Sequence, residues 1–384
     1  MRRLLFAMLL STALWAQSIV DPNAVPRAMS RFEPRWDDRD LACSVTPFGP
    51  ALNFSFRIQA GYIARVPMNQ YFGPRHAWFI LMRLTPEGGD RKPVFLAART
   101  RLPDVPKTKV EVEIGGGYLL GEGGYQVHWM MLDDLGRVCR HNWHIEARLT
   151  RAERTAKVAM RPYTAAPFSL LGSPDEGRIR DDSAPFSVTI LLHAAPVFPR
   201  RTRLRANDRM LLVGSLAALL ERLPARSVRL VVFNLDQQKE LYRQDGFSLG
   251  AMEQVEQALN ELELSAVDYR VLQKPKGHLD LLADLINGEV HAGKPSDAVV
   301  FLGPSTRYED KLPREALERL AVIPRFFYFQ YRPLLRRMVP STTDTIAMAV
   351  SGLKGKTMII RTPAEFARAI GQLEKLAAPQ PPRP

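Results

Sequence analysis

Cysteine is nearly missing from this chain, with only Cys43 and Cys139 in 384 residues. That scarcity excludes a small disulfide-stapled scaffold and any four-thiolate zinc module. The familiar enzyme signatures are missing too: there is no Gly-x-Ser-x-Gly elbow, Walker loop, dinucleotide fingerprint or His-Glu-x-x-His. The reading is therefore a protein with no catalytic residue set and no cofactor. Zinc-finger spacing and aromatic-basic RNA-binding patterns are also absent. Beyond the first residues, no apolar run reaches the length needed to cross a bilayer.

What is present is an ordinary globular composition, 46% apolar, with a net charge of +13. Such a charge could mark a nucleic-acid partner, but its distribution argues otherwise. Lysine plus arginine stand at 25 against 19 acidic residues before residue 184, and at 28 against 21 after it. Neither half is a concentrated basic domain, and the charge reads as solvated surface.

The first residues have the layout of a secretory leader: Arg2 and Arg3, an apolar run from Leu4 to Trp15, then Ala16, Gln17 and Ser18 as a cleavage site. A signal peptide over 1–17 and a secreted or periplasmic protein are expected, with no membrane span after cleavage and a retained anchor as the alternative. Export makes a Cys43–Cys139 disulfide possible, and two separate buried thiols are the alternative. A bridge would close a loop of about 95 residues, worth at most about 4 to 5 kcal/mol.

Residues 40–150 alternate with period two, as in Tyr125, Val127, Trp129 and Met131, with glycine and proline about every ten residues. This predicts an all-β sandwich. Phe54, Phe56 and Ile58, like Val110, Val112 and Ile114, are placed on strands. Gly121-Glu-Gly-Gly-Tyr125-Gln-Val127 resembles the tyrosine corner of immunoglobulin-like domains. Trp78, Trp129 and Trp143 could form a sugar-stacking platform, although their phase with apolar neighbours favours the core. Cys139, His141 and His144 could be imagined as metal ligands, but one strand supplies few convergent donors. Residues 151–183, rich in proline and charge, are expected to be a linker, and 378–384 an extended proline-rich tail.

From 184 to 377 the pattern changes. Phe186 to His193, Arg226 to Leu235, Asp297 to Gly303 and Arg325 to Tyr331 read as buried strands separated by helices. Helices are expected from Asn207 to Leu223, capped by Asn207 or Asp208, and from Ser248 to Leu264. Leu241 to Arg243 reads as a short edge strand. Strands alternating with helices predict an α/β, doubly wound, mostly parallel sheet. The chain closes with Ile346-Ala-Met-Ala-Val-Ser-Gly-Leu, then Lys356-Thr-Met-Ile-Ile360, then Thr362-Pro-Ala-Glu365 opening a capped helix. This order of helix, Ser-Gly turn, short strand and helix resembles the closing third of a von Willebrand factor A domain.

The resemblance implies a divalent-metal site at the end of the first strand, held by Asp-x-Ser-x-Ser. Here those positions carry His193, Ala195 and Val197. The family's threonine loop falls near Gly277 and His278, and a further aspartate falls on Pro304. A hard cation needs oxygens that these residues lack, so no metal is expected there. Arg200, Arg201, Arg203 and Arg205 follow the first strand, and His193 and His278 are expected to approach each other at the same rim. The favoured reading is a non-catalytic interaction or scaffolding protein whose rim meets an acidic protein partner through forked arginine donors. Two alternatives stand beside it: an enzyme or soft-metal site around His193, His278 and Asp280, and a carbohydrate-binding surface.

Overall fold

The computed structural model describes residues 17–21, 32, 36, 38–169, 186–198, 201–265, 269–290, 295–318, 324–332 and 343–377. The chain is mixed α/β with a β-rich first part, and it divides into two compact units. The first holds the described residues up to Arg151 together with Lys157–Ser169, and the second holds Ala152–Ala156 and the described residues from Phe186 onward.

The first unit is built from β1 (Ser18–Ile19), β2 (Arg39–Asp40), β3 (Ser44–Leu52), β4 (Ile58–Pro67), β5 (Ala77–Pro86), β6 (Val94–Arg101), β7 (Glu111–Leu120), β8 (Gly123–Asp133), β9 (Arg137–Ala147) and β10 (Ala165–Pro167). One sheet runs β1-β6-β5-β8-β9-β2 and the other β10-β7-β4-β3. Alternation decides which side chains face inward. Ile58, Ala60, Tyr62, Ala64 and Val66 of β4 are buried, as are Tyr125, Val127, Trp129 and Met131 of β8. The rings of Tyr62 and Trp129 meet edge-on at 5.5 Å between the sheets. A disulfide joins Cys43 to Cys139, with Cα atoms 6.3 Å apart.

Several expectations are revised here. Phe54 and Phe56 lie in a turn, because the Asn53 carboxamide oxygen accepts from the Ser55 and Arg57 amides and Phe56 turns left-handed at φ 54. Val110 stands just outside β7 and is exposed. Trp78 and Trp129 are fully buried, which removes the sugar platform, and Cys139 is spent in the disulfide rather than offered to a metal. Residues 151–169 are not a linker: Ala152–Ala156 joins the second unit, and Ala165–Pro167 pairs antiparallel with Tyr118–Leu120. Exposed β7 backbone groups explain why that stretch is recruited. Gln17, the expected last residue of the leader, is buried and donates its amide to the Tyr62 hydroxyl at 3.0 Å. Residues 1–16, 170–183 and 378–384, which carry the other leader, linker and tail expectations, lie outside the described residues.

The second unit contains β11 (Ser187–His193), α1 (Ala206–Arg222), β12 (Ser227–Asn234), β13 (Lys239–Gln244), α2 (Met252–Asn260), α3 (Tyr269–Gln273), α4 (Gly277–Val290), β14 (Ala298–Pro304), β15 (Arg325–Tyr331), α5 (Thr345–Gly352), β16 (Lys356–Ile360) and α6 (Pro363–Ala377). Its sheet has the order β13-β12-β11-β14-β15-β16, parallel except for the edge pair of β12 and β13. Strands β11 and β14 are buried along their whole length, hence their largely apolar sequences, unbroken in β14 and interrupted in β11 by the buried Ser187, Thr189 and His193. Phe326 and Tyr328 pack with Leu282 and Ile286 of α4 and with Ile346 of α5. On the opposite parity of the same strand, Phe329 and Tyr331 meet Phe366 of α6 edge-on. Helices therefore cover both faces.

Two helices differ from expectation. The helix expected over 248–264 is a 3-10 turn, Leu249–Ala251, followed by α2, because Gly250 weakens a full first turn. Helix α1 is fixed from inside its first turn, where the Asp208 carboxylate reaches back to the Arg205 amide at 2.9 Å.

Candidate functional site

Parallel strands deliver their carboxyl ends to one edge of the sheet, where ligands usually sit in open α/β sheets. In this unit that edge collects His193 at the end of β11, Asn234 at the end of β12 with Asp236 beyond it, Pro304 at the end of β14 with Ser305 and Thr306 beyond it, Arg332 after β15, and the starts of α4 and α5.

The centre of the edge is a buried hydrogen-bond network around Asp344, the N-cap of α5. Its Oδ1 accepts from the Ala347 amide at 2.8 Å, closing the first turn. Its Oδ2 accepts from the Thr306 amide at 2.9 Å and the Gln330 side-chain amide at 2.9 Å, and the Tyr328 hydroxyl lies 3.1 Å away. Arg332 donates to the other end of the Gln330 amide at 3.0 Å. Burial beside this carboxylate pushes the Tyr328 hydroxyl well above its ordinary pKa, so it stays a neutral donor. Sequence reasoning missed Asp344, starting the closing motif at Ile346. The available signal was an acidic residue just ahead of an apolar helical run.

His193 is fully enclosed in the same edge. Its ring stacks on Phe233 at 5.3 Å, and Nδ1 lies 3.2 Å from the Pro304 carbonyl. Burial drives its pKa below the usual histidine value, which keeps the ring neutral, with Nδ1 donating and Nε2 bearing the lone pair. Gly303 makes the approach possible: at φ 156, a Cβ there would stand 2.7 Å from the His193 carbonyl oxygen. His278 opens α4 and stacks on Tyr308 at 3.9 Å, with Nε2 3.2 Å from an Asp310 oxygen. No hydrogen bond or ring contact joins His193 to His278. Each ring is instead engaged by a different aromatic side chain, Phe233 of β12 for His193 and Tyr308 after β14 for His278. Asp280 is not among the partners of either.

Of the expected arginines, Arg200 lies outside the described residues. Arg201 is partly neutralised by Asp208 at 3.6 Å and rests over Phe198 at 4.4 Å. Arg203 and Arg205 are exposed. A further cation missed by the sequence reading, Arg307, pairs with Asp236 at 2.8 Å and covers the Tyr308 ring at 5.2 Å.

The hard divalent cation implied by the family resemblance needs several free oxygen ligands, and these residues do not fit it. His193, Ala195, Val197 and Pro304 bring no side-chain oxygen, and the nearby Asp344 carboxylate is already occupied by protein donors. Among the described residues, no group of three or more His, Cys, Asp or Glu side chains is placed to hold a metal ion.

Comparison with known proteins adds little. No family model and no curated protein matches the chain. The ApaA protein from Bordetella pertussis, itself described as putative, is similar over 29% of this chain and 98% of its own, at 16% identity and a TM-score of 0.21. A superoxide reductase (neelaredoxin) from Ignicoccus hospitalis is similar over 28% of this chain and 80% of its own, at 13% identity and a TM-score of 0.20. The sporulation control protein Spo0M from Bacillus subtilis matches 31% of this chain and 54% of its own, at 9% identity and a TM-score of 0.16. At these scores the likenesses decide neither fold nor activity. Among the described residues, no helix is long and apolar enough to cross a membrane.

Proposed function

We propose that the chain is an exported, non-catalytic interaction protein. In this reading its second unit is a doubly wound, von Willebrand factor A-like module that contacts an acidic protein partner without a metal. The observation that carries the reading is a division of labour at the carboxyl edge. The buried carboxylate of Asp344 is consumed internally, while Arg203 and Arg205 stand exposed on the loop after β11. Arginine forks match carboxylates in pairs, and an exposed cationic rim speeds encounter with an acidic surface. The mostly parallel sheet, its two covered faces and the Asp344-capped helix α5 that opens the closing motif support the module assignment.

The test uses a fluorescein-labelled oligoglutamate and the full chain, read by anisotropy in chelator and then in Mg²⁺. Binding indifferent to Mg²⁺ and at least about tenfold weaker in an Arg201→Ser, Arg203→Ser, Arg205→Ser variant is expected. Binding that requires Mg²⁺, or that ignores the arginines, would sink the reading.

A further inference from the structure

At one end of the sandwich, the connections 68–76 and 102–110 are tied together by reciprocal bonds between Gly73 and Val105, at 2.9 and 3.0 Å. Beneath them lies a locked frame. The Trp78 indole donates to the Tyr71 hydroxyl at 2.9 Å, and that hydroxyl reaches Asp133 at 3.0 Å. Arg137 donates to Asp133 at 2.8 Å while its guanidinium covers the Tyr71 ring at 4.8 Å. His76 spans the Phe72 carbonyl at 3.0 Å and the Asp134 carboxylate at 3.1 Å. Gln70 holds the Ala42 carbonyl at 2.9 Å, next to the Cys43–Cys139 bridge.

This frame presents apolar surface to water. Phe72 is 76% exposed and Val110 53% exposed, although Tyr71 beside them is buried. A cleft of about 600 Å³ lies among Asn69, Tyr71, Phe72, Lys107, Thr108 and Lys109, within the ~300 to 1,000 Å³ range of ligand-sized clefts. The chain also accepts a left-handed conformation at a non-glycine residue, Arg75 at φ 72, to complete the loop. Its charge is one-sided. Arg75, Lys107 and Lys109 are exposed, whereas Asp133 and Asp134 are engaged by Arg137 and His76, leaving Asp104 as the exposed acid of the two connections.

We propose that this end of the sandwich docks an extended acidic segment of a partner polypeptide that carries a bulky apolar side chain. The apolar group lies against Phe72 and Tyr71, and flanking carboxylates meet Lys107 and Lys109. A preorganised aromatic wall with flanking cations reduces the ordering cost that otherwise limits peptide binding. The surface belongs wholly to the first unit and is separate from the arginine rim.

The experiment titrates the full chain against a labelled peptide alternating glutamate with phenylalanine and leucine, and against its glutamine counterpart. Saturable binding of the acidic peptide is expected. It should weaken about tenfold or more in Phe72→Ser and in the pair Lys107→Ser, Lys109→Ser, and weaken again as salt rises from about 50 to about 200 mM. These side chains are exposed, so near-ultraviolet circular dichroism should be unchanged in the variants. Equal binding of the glutamine peptide, or no saturation by about 1 mM, overturns the proposal. Loss of binding only in the Arg201, Arg203, Arg205 variant places the peptide on the rim, which overturns this proposal and leaves the rim reading intact.

Discussion

Arg229 and Glu289 form an ion pair of 2.9 Å in which the carboxylate is wholly buried and the guanidinium is 19% exposed. Glu289 also accepts from the Thr189 hydroxyl at 2.6 Å and from Arg243 at 3.4 Å. Such a pair adds little over an apolar replacement, but breaking it from one side strands a buried charge. Arg229→Ala, which leaves the buried Glu289 carboxylate with only Thr189 and the longer Arg243 contact, should therefore lower unfolding free energy by about 3 kcal/mol, measured by urea denaturation. Exposed Glu240→Ala, on the same Arg243, should shift it by about 0 to 1 kcal/mol.

Asp344 should tolerate no isostere. All its bonds are accepted ones, so Asp344→Asn turns one oxygen into a donor facing the donors of Thr306, Gln330 and Tyr328. A loss of about 2 to 4 kcal/mol is expected, close to that of Asp344→Ala. An asparagine variant as stable as the parent would show that the carboxylate is not the hub described.

The pKa values of His76 and His193 should be displaced in opposite directions from the ordinary histidine value. The Phe72 carbonyl raises the His76 pKa against the opposing effect of burial, and Asp134 raises it further. Its stabilising contribution is thus complete below the unfolded value of about 6.5 and lost as pH rises through the higher folded value. Burial lowers the His193 pKa, so its contribution is present above about 6.5 and lost as pH falls through the lower folded value. Two-dimensional NMR of the imidazoles across this window separates them, and identical midpoints would contradict both environments.

Reduction of Cys43–Cys139 should destabilise the sandwich by up to about 4 kcal/mol, because the bridge spans a sequence separation of 96. Calorimetry of the Cys43→Ser, Cys139→Ser double variant measures it.

If a leader is removed on export, the cut should leave Gln17 on the mature chain. Its side-chain amide is in the core on Tyr62, and losing it would leave a buried phenol without that donor. Intact mass of the exported protein reads the junction directly, and a mature chain beginning at Ser18 would contradict this.

The regular parts of the fold were legible because periodicity reports burial. The four buried strands of the second unit fall within one residue of their sequence placement, since short, predominantly apolar and β-branched or aromatic runs leave few alternatives. What was illegible depended on contacts remote in sequence. Nothing near Ala165 announces its pairing with Leu120, and nothing near His278 announces the Tyr308 ring that stacks on it. Phe54 and Phe56 misled because a single Asn53 side chain can convert an alternating pattern into a turn. The arginines of the rim were visible as charge, but the carboxylate that neutralises one of them was read only as a helix cap.

The interleaving of the chain between the two units has a consequence for synthesis. The four-stranded sheet cannot close its β7 edge until residue 167 has left the ribosome, by which time Ala152–Ala156 has already been laid down for a unit not yet made. No single cut between 151 and 169 leaves both units whole. A truncation after Arg151 would bare a strand edge able to pair with another copy, making the isolated sandwich prone to self-association.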